Sequence, residues 1–219
     1  KRAAMSTNNH WLYLLLVYLL AAACGQNSHS PPAEEEKGAI ISISSDINEA
    51  PAASEQPLLL ILGSTFSVAR GLSPEQGYAA LLGRRLSEAP APVKTLNASV
   101  AAETVAGALE RLPFLLAHPL KQAILELGQA DEARQTGPEA FARDVNKLLR
   151  HIRTQQADLP ILILPSTRTA GYYEALAAAA EAVEGVSLSP LLIDGGGDIR
   201  SDDPSLHRRL AEELWPLVE

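Results

Sequence analysis

The stretch "LLLILGSTFSVARG", residues 58–71, decides how the rest of the chain is read. Five apolar residues run without a polar break, as in a strand buried on both faces of a parallel sheet. A glycine follows, then Ser64, Thr65 and Ser67. A strand that stops at a glycine and small hydroxyl residues presents a nucleophile at the carboxyl edge of a sheet, where open α/β sheets carry their sites.

The pattern continues outward from this stretch. Short apolar runs predict strands over 58–62, 93–97, 122–127 and 161–165, with a last one inside 186–193. Longer amphipathic runs predict helices over 74–87, 101–117, 138–155, 171–184 and 203–217. Asp203 is placed to cap the last helix and Pro204 to open it. Five strands alternating with helices imply right-handed crossovers. The expected fold is α/β, a three-layer αβα sandwich around a five-stranded parallel sheet.

Composition narrows the function classes. The 219 residues are 47% hydrophobic and 20% charged, with a formal net charge of −8 and acids and bases mixed along the chain. Nothing there offers the clustered Lys and Arg that nucleic acid needs, and 5% aromatics supply no base-stacking surface. No Walker-type phosphate loop is present, and Gly195–Gly197 lack dinucleotide-binding spacing and read as a turn. His and Cys show no metal-ligand spacing. The acids Asp194, Asp198, Asp202 and Asp203 lack a calcium-loop pattern and read as a solvated acidic loop. No metal or cofactor is expected.

The first 56 residues carry a different message. The apolar run "WLYLLLVYLLAAA", residues 11–23, falls short of the ~20 residues of a spanning helix and suits a signal-peptide core. It ends at Cys24, the only cysteine, which excludes an intrachain disulfide. Residues 1–23 are therefore expected to be a signal peptide. Residues 24–56, rich in Pro, Ser, Ala and Glu, are expected to be a tether, in which "AIISIS" at 39–44 is a possible stray strand. Residues 57–219 are expected to be the folded domain.

Four blocks, in order and each after a predicted strand, resemble those of the SGNH (GDSL) hydrolases, in their bacterial thioesterase, lysophospholipase and arylesterase branch. "LLILGSTFSVARGLSPEQGYAALL" resembles the block that begins G-D-S-L-[ST]-x-G-Y-G. "LNASVAAETVAGALERLPFLL" is similar to N-A-[GS]-[VI]-S-G-[DE]-T. "AILELGQADEARQ" is similar to V-x-[LV]-E-L-G-G-N-D-x-L-R-G, and "DIRSDDPSLHRRLAEELWPLVE" to D-G-x-H-P and a helix ending W-P-L. "LAAACG" likewise resembles a bacterial lipobox, with Ala21 where Leu is usual. That resemblance implies lipidation at Cys24 and a domain tethered to the bacterial envelope, with the periplasmic face of the outer membrane expected.

The family resemblance implies a flavodoxin-like fold and acyl-ester chemistry. A Ser attacks, a His moves the proton, an Asp orients the His, and the Ser amide, a Gly amide and an Asn side chain stabilise the oxyanion. Carried over position by position, most of these groups are missing. The nucleophile position is Thr65 and the motif Asp before it is Ser64. The oxyanion Gly and Asn positions are Ala102 and Ala130. The triad Asp and His positions are Asp198 and Ser201. Only the Asp remains, with no His to orient. Asp131 also remains, as either a turn residue or a functional one.

Two readings follow. In the first, the scaffold persists without catalysis, and the domain binds a small acyl or glycan ligand or an envelope protein. In the second, a rearranged site hydrolyses acyl esters, with Thr65 or Ser64 as nucleophile and Asp203/His207 supplying the base. His207 is the only histidine expected at the right end of the sheet. Its alternative is an ordinary first-turn helix residue. A third, ligand-free structural role predicts a cleft filled by side chains such as Phe66 and Arg70.

Overall fold

The structure, a computed structural model, describes residues 56–194 and 199–219. Strands β1 (Leu58–Leu62), β2 (Lys94–Asn97), β3 (Leu120–Leu127), β4 (Ile161–Pro165) and β5 (Val186–Leu188) form one parallel sheet in the order β2-β1-β3-β4-β5. Successive strand residues point to opposite faces, and the core divides accordingly. Leu60, Leu62, Leu125 and Ile163 pack under helices α2 (Val105–Leu115), α4 (Pro138–Gln155) and α5 (Ala170–Ala182). Leu59, Ile61, Ile124 and Leu164 pack under α1 (Tyr78–Glu88) and α7 (Pro204–Val218). The expected three-layer sandwich is therefore observed. Strand order reverses at β1, so the loops after β1 and β3 meet at the switch point, the usual site position in such sheets.

Several boundaries differ from the expected ones for local reasons. The helix expected over 74–87 is broken: a 3₁₀ turn, Pro74–Gln76, ends at Gly77 and α1 starts afresh at Tyr78. The helix expected from 101 starts only at Val105. Ala102 is left-handed (φ 58°), and the Thr104 side chain caps α2 by accepting the Gly107 N–H. Two short helices were not anticipated, α3 (Gln129–Ala133) and α6 (Leu191–Asp194). Asp203 caps α7 as expected, accepting from the Ser205 and Leu206 amides.

The segment 11–23, Cys24, the tether with its "AIISIS" island, and Asp198 lie outside the described residues, as do the side chains of Ile193 and Asp194. Among the described residues no helix is long and apolar enough to cross a membrane. No group of His, Cys, Asp and Glu there could hold a metal ion.

Candidate active site

The turn after β1 is held from below by a buried acid. Glu126, in the last part of β3, is 1% exposed, and its Oε2 accepts the backbone N–H groups of Ser64 (2.7 Å) and Ser67 (3.3 Å). Burial raises its pKa above the ordinary value, while the Ser166 hydroxyl and the Ser64 and Ser67 amides favour the charged form. Ser67 also shares a 2.8 Å hydrogen bond with the Tyr78 hydroxyl. Above this floor the Thr65 hydroxyl is half-buried, and its Oγ1 accepts the Ala102 N–H at 3.0 Å. Of the positions the resemblance assigns, Thr65 and Ala102 thus meet. Arg134 holds the next peptide, donating to the Ala102 carbonyl at 3.0 Å.

The donor side of the site is thin. Ala130, where the resembled motif has Asn, is buried in α3 and has only a methyl side chain. Asp131 is no solvated turn residue: it is 1% exposed, and its Oδ2 accepts the Val105 N–H at the start of α2. Burial raises its pKa, opposed by the Val105 amide. Glu132 receives hydrogen bonds from the Thr167 and Thr169 hydroxyls, tying α3 to the loop after β4. Gly128 (φ 118°) lies where an added Cβ would sit 2.4 Å from Thr167, so only glycine lets these two loops meet.

The base side is occupied differently. His207 lies near the start of α7, as its alternative reading expected, but it is a core residue and not a free base. It is wholly buried, its ring stacked on Phe66 with centroids 4.4 Å apart. Its Nδ1 accepts the Tyr78 N–H at 3.1 Å. That fixes the neutral tautomer with hydrogen on Nε2, which donates to the Ser201 carbonyl at 3.0 Å. Burial lowers its pKa below 6.5, outweighing the Ser201 carbonyl and the Asp203 charge. The Asp203 carboxylate is turned to the amides of its own helix and the Ser205 hydroxyl rather than orienting the ring. Ser201, the residue that the resemblance sets at the triad His position, donates its hydroxyl to the Arg70 carbonyl at 3.0 Å. Asp202 pairs with Arg200.

The remaining described histidines stand elsewhere. His118 lies in the loop before β3, at the opposite end of the strands, and His151 lies within α4. The Ser64 hydroxyl is buried without a partner, so Ser64 does not replace Thr65 as an exposed nucleophile. Phe66 does not fill a cleft. It lies in the core under α1 and α7.

Backbone geometry supplies the deciding observation. Among the described residues three non-glycine residues have left-handed φ: Ala69 (55°), Ala102 (58°) and Gln135 (55°). All three stand where the resembled motifs have glycine. The loops keep a shape written for glycine after the glycines have gone. The model of the GDSL-like lipase/acylhydrolase family matches residues 62–210. The chain belongs to that family. Esterase TesA of Pseudomonas aeruginosa is 31% identical over 175 residues, covering 74% of this chain and 87% of TesA. An arylesterase of Vibrio mimicus is 29% identical over 117 residues, 53% of this chain and 58% of that one. A crystal structure of TesA superposes with a TM-score of 0.65 at 27% identity, covering 74% of this chain and 98% of TesA. The psychrotrophic esterase EstA from Pseudoalteromonas shares the fold at 19% identity, with a TM-score of 0.60 over 73% of this chain and 97% of EstA.

Sequence reading missed Glu126, Tyr78 and Arg134 as parts of the site. Glu126 and Arg134 had a signal available, since both match the Glu and Arg of the resembled third block, and Glu126 is also a single acid inside the buried run "AILELG".

Proposed function

We propose that this GDSL-family domain has given up ester hydrolysis and acts by binding at the retained cleft. Its ligand would be a small acyl or glycan molecule, or the cleft would receive an envelope protein. The observation that carries the reading is His207, buried with both ring nitrogens engaged, while Ser201 stands at the family's histidine position. A hydroxyl without a base is a weak nucleophile, and losing triad function costs on the order of 10⁶ in turnover. The test is hydrolysis of short p-nitrophenyl esters and of acyl-CoA, compared with Thr65→Ala. Turnover well above background that disappears in the variant overturns the reading.

A second reading, a slow acyl-ester hydrolase, is favoured by one observation. The Ala102 N–H still reaches Thr65 Oγ1, so one oxyanion donor stands beside a hydroxyl. The names of the relatives, an esterase and an arylesterase, point the same way. This reading needs His207 to give up at least the Tyr78 N–H on Nδ1 before it can serve as base.

Anchoring through lipidated Cys24 in the bacterial envelope, at the periplasmic face of the outer membrane, belongs to the same proposal. It rests on the small residues before the lone cysteine and the apolar run ahead of them. Palmitate labelling of the full-length protein in bacterial cells, lost in Cys24→Ala, tests it.

A further inference from the structure

Beside the Thr65 turn lies a small, partly open cavity of about 10 Å³, bordered by Gly63, Ser64, Glu126, Gly128 and Asp131 among others. That is about the least space that holds one water molecule. Three polar atoms of the bordering residues have no hydrogen-bond partner of ordinary geometry: Ser64 Oγ, Glu126 Oε1 and Asp131 Oδ1. Their residues are 4%, 1% and 1% exposed. The other oxygen of each acid is engaged, Glu126 Oε2 by the Ser64 and Ser67 amides and Asp131 Oδ2 by the Val105 amide, and the Ser166 hydroxyl also lies against the Glu126 carboxylate. Buried polar atoms left in this way are costly, and native proteins pair nearly all of them.

We propose that this cavity binds one water molecule. The inventory of donors and acceptors closes around it. The water accepts the Ser64 hydroxyl hydrogen and donates one hydrogen each to Glu126 Oε1 and Asp131 Oδ1. Three hydrogen bonds is the usual number for an internal water. The family motif has Asp at position 64. Its longer side chain would take up the space, and it would bring a third carboxylate beside Glu126 and Asp131. Serine opens room for the water and donates its hydroxyl hydrogen to it. The bound water then ties the Thr65 turn to β3 and, through Asp131, to the start of α2. It belongs to the scaffold, so its presence does not depend on whether the cleft binds or hydrolyses anything.

Two measurements test this on the purified protein. A high-resolution crystal structure should show one density peak within ~2.6–3.2 Å of all three oxygens. In solution, a long-lived water should give a cross-relaxation signal to the Ser64 or Val105 amide. The signal should be lost in Ser64→Asp and in Ser64→Val, whose side chains fill the cavity. The second variant guards against misfolding in the first. A Ser64 hydroxyl bonded directly to either carboxylate with no peak between them overturns the proposal. So does a peak at metal-coordination distances, or a water signal that persists in a folded variant.

Discussion

His207 Nδ1 accepts the backbone N–H of Tyr78 at 3.1 Å, and Tyr78 is the first residue of α1. The histidine that the hydrolase reading needs as its base is instead a helix cap in the core. The first N–H groups of a helix have no partner within it, and His207 supplies one from 129 residues away. This explains why the helix breaks at Gly77. The amide of Tyr78 is bonded across to α7 rather than back along its own chain.

Replacing His207 by Leu keeps most of the volume but leaves the Tyr78 N–H and the Ser201 carbonyl without their partner. Each orphaned group costs about 1–3 kcal/mol, so His207→Leu should be destabilised by roughly 2–4 kcal/mol in urea unfolding. The pH dependence has a definite sign. His207 has a folded pKa below its unfolded value near 6.5, so the unfolded chain takes up the proton first as pH falls. Its stabilising contribution is complete above 6.5 and is lost as pH falls toward the folded pKa. The stability gap between wild type and His207→Leu should narrow over that window. A gap independent of pH would show that the ring is not held neutral.

If the site is disabled for want of a few groups, restoring them together should restore chemistry. Thr65→Ser removes the obstructing methyl, Ala130→Asn supplies the oxyanion side chain, and Ser201→His supplies the base, with Asp198 already in the sequence. Ser201 is half-buried and bonded only to main chain, so its position tolerates a larger residue. Members of a triad act as a unit. Each single change should therefore leave hydrolysis of p-nitrophenyl butyrate near background, and the triple variant should exceed wild type by roughly 10²-fold or more. A single change giving the full gain would mean that the others were never missing.

The Ala69 and Gly77 pair tests the glycine argument directly. A left-handed non-glycine residue costs about 1–2 kcal/mol, part of which glycine returns through its looser unfolded chain. Ala69→Gly and Ala102→Gly should therefore each stabilise by about 0.5–1 kcal/mol. A Cβ added at Gly77 would sit 2.8 Å from the Cβ of Ala69. Gly77→Ala should cost about 1–3 kcal/mol alone and much less in an Ala69→Gly background. Additive effects in urea melts would show that the two positions do not meet.

What the sequence revealed and what it hid follow from the range of the interactions. The buried strands 58–62 and 161–165 and the helix 138–155 match their expected bounds, because a continuous apolar run or a long apolar stripe is a local signal. The convergence of Thr65 with Ala102 was legible through the family motifs. The role of His207 was not, because both of its partners lie outside its own helical turn and one comes from α1. Asp131 stayed open between a turn residue and a functional one because nothing in "GQADEA" shows that the start of α2 closes over it. The left-handed alanines were invisible in composition and appear only as backbone angles.

Glu126 separates hydrogen bonding from charge. Its Oε2 holds two amides of the Thr65 turn, a task that a Gln side-chain oxygen can share and a Leu cannot. Glu126→Leu should therefore lose roughly 2–5 kcal/mol and disorder the turn, while Glu126→Gln should stay much closer to wild type. Burial raises the Glu126 pKa above the ordinary 4.5, opposed by its hydrogen bonds. A raised folded pKa means that the folded chain holds the proton longer. Its contribution is complete below 4.5 and is lost as pH rises through the folded value. Asp131 has the same sign, raised from 3.8 chiefly by burial, so each acid has to be removed separately to assign the slope. Glu126→Gln should flatten the stability profile on the alkaline side of 4.5 without altering the His207 window. Urea melts across this range, set beside Asp131→Asn, decide it. An unchanged slope in Glu126→Gln would mean that the buried charge is neutralised by something other than a proton.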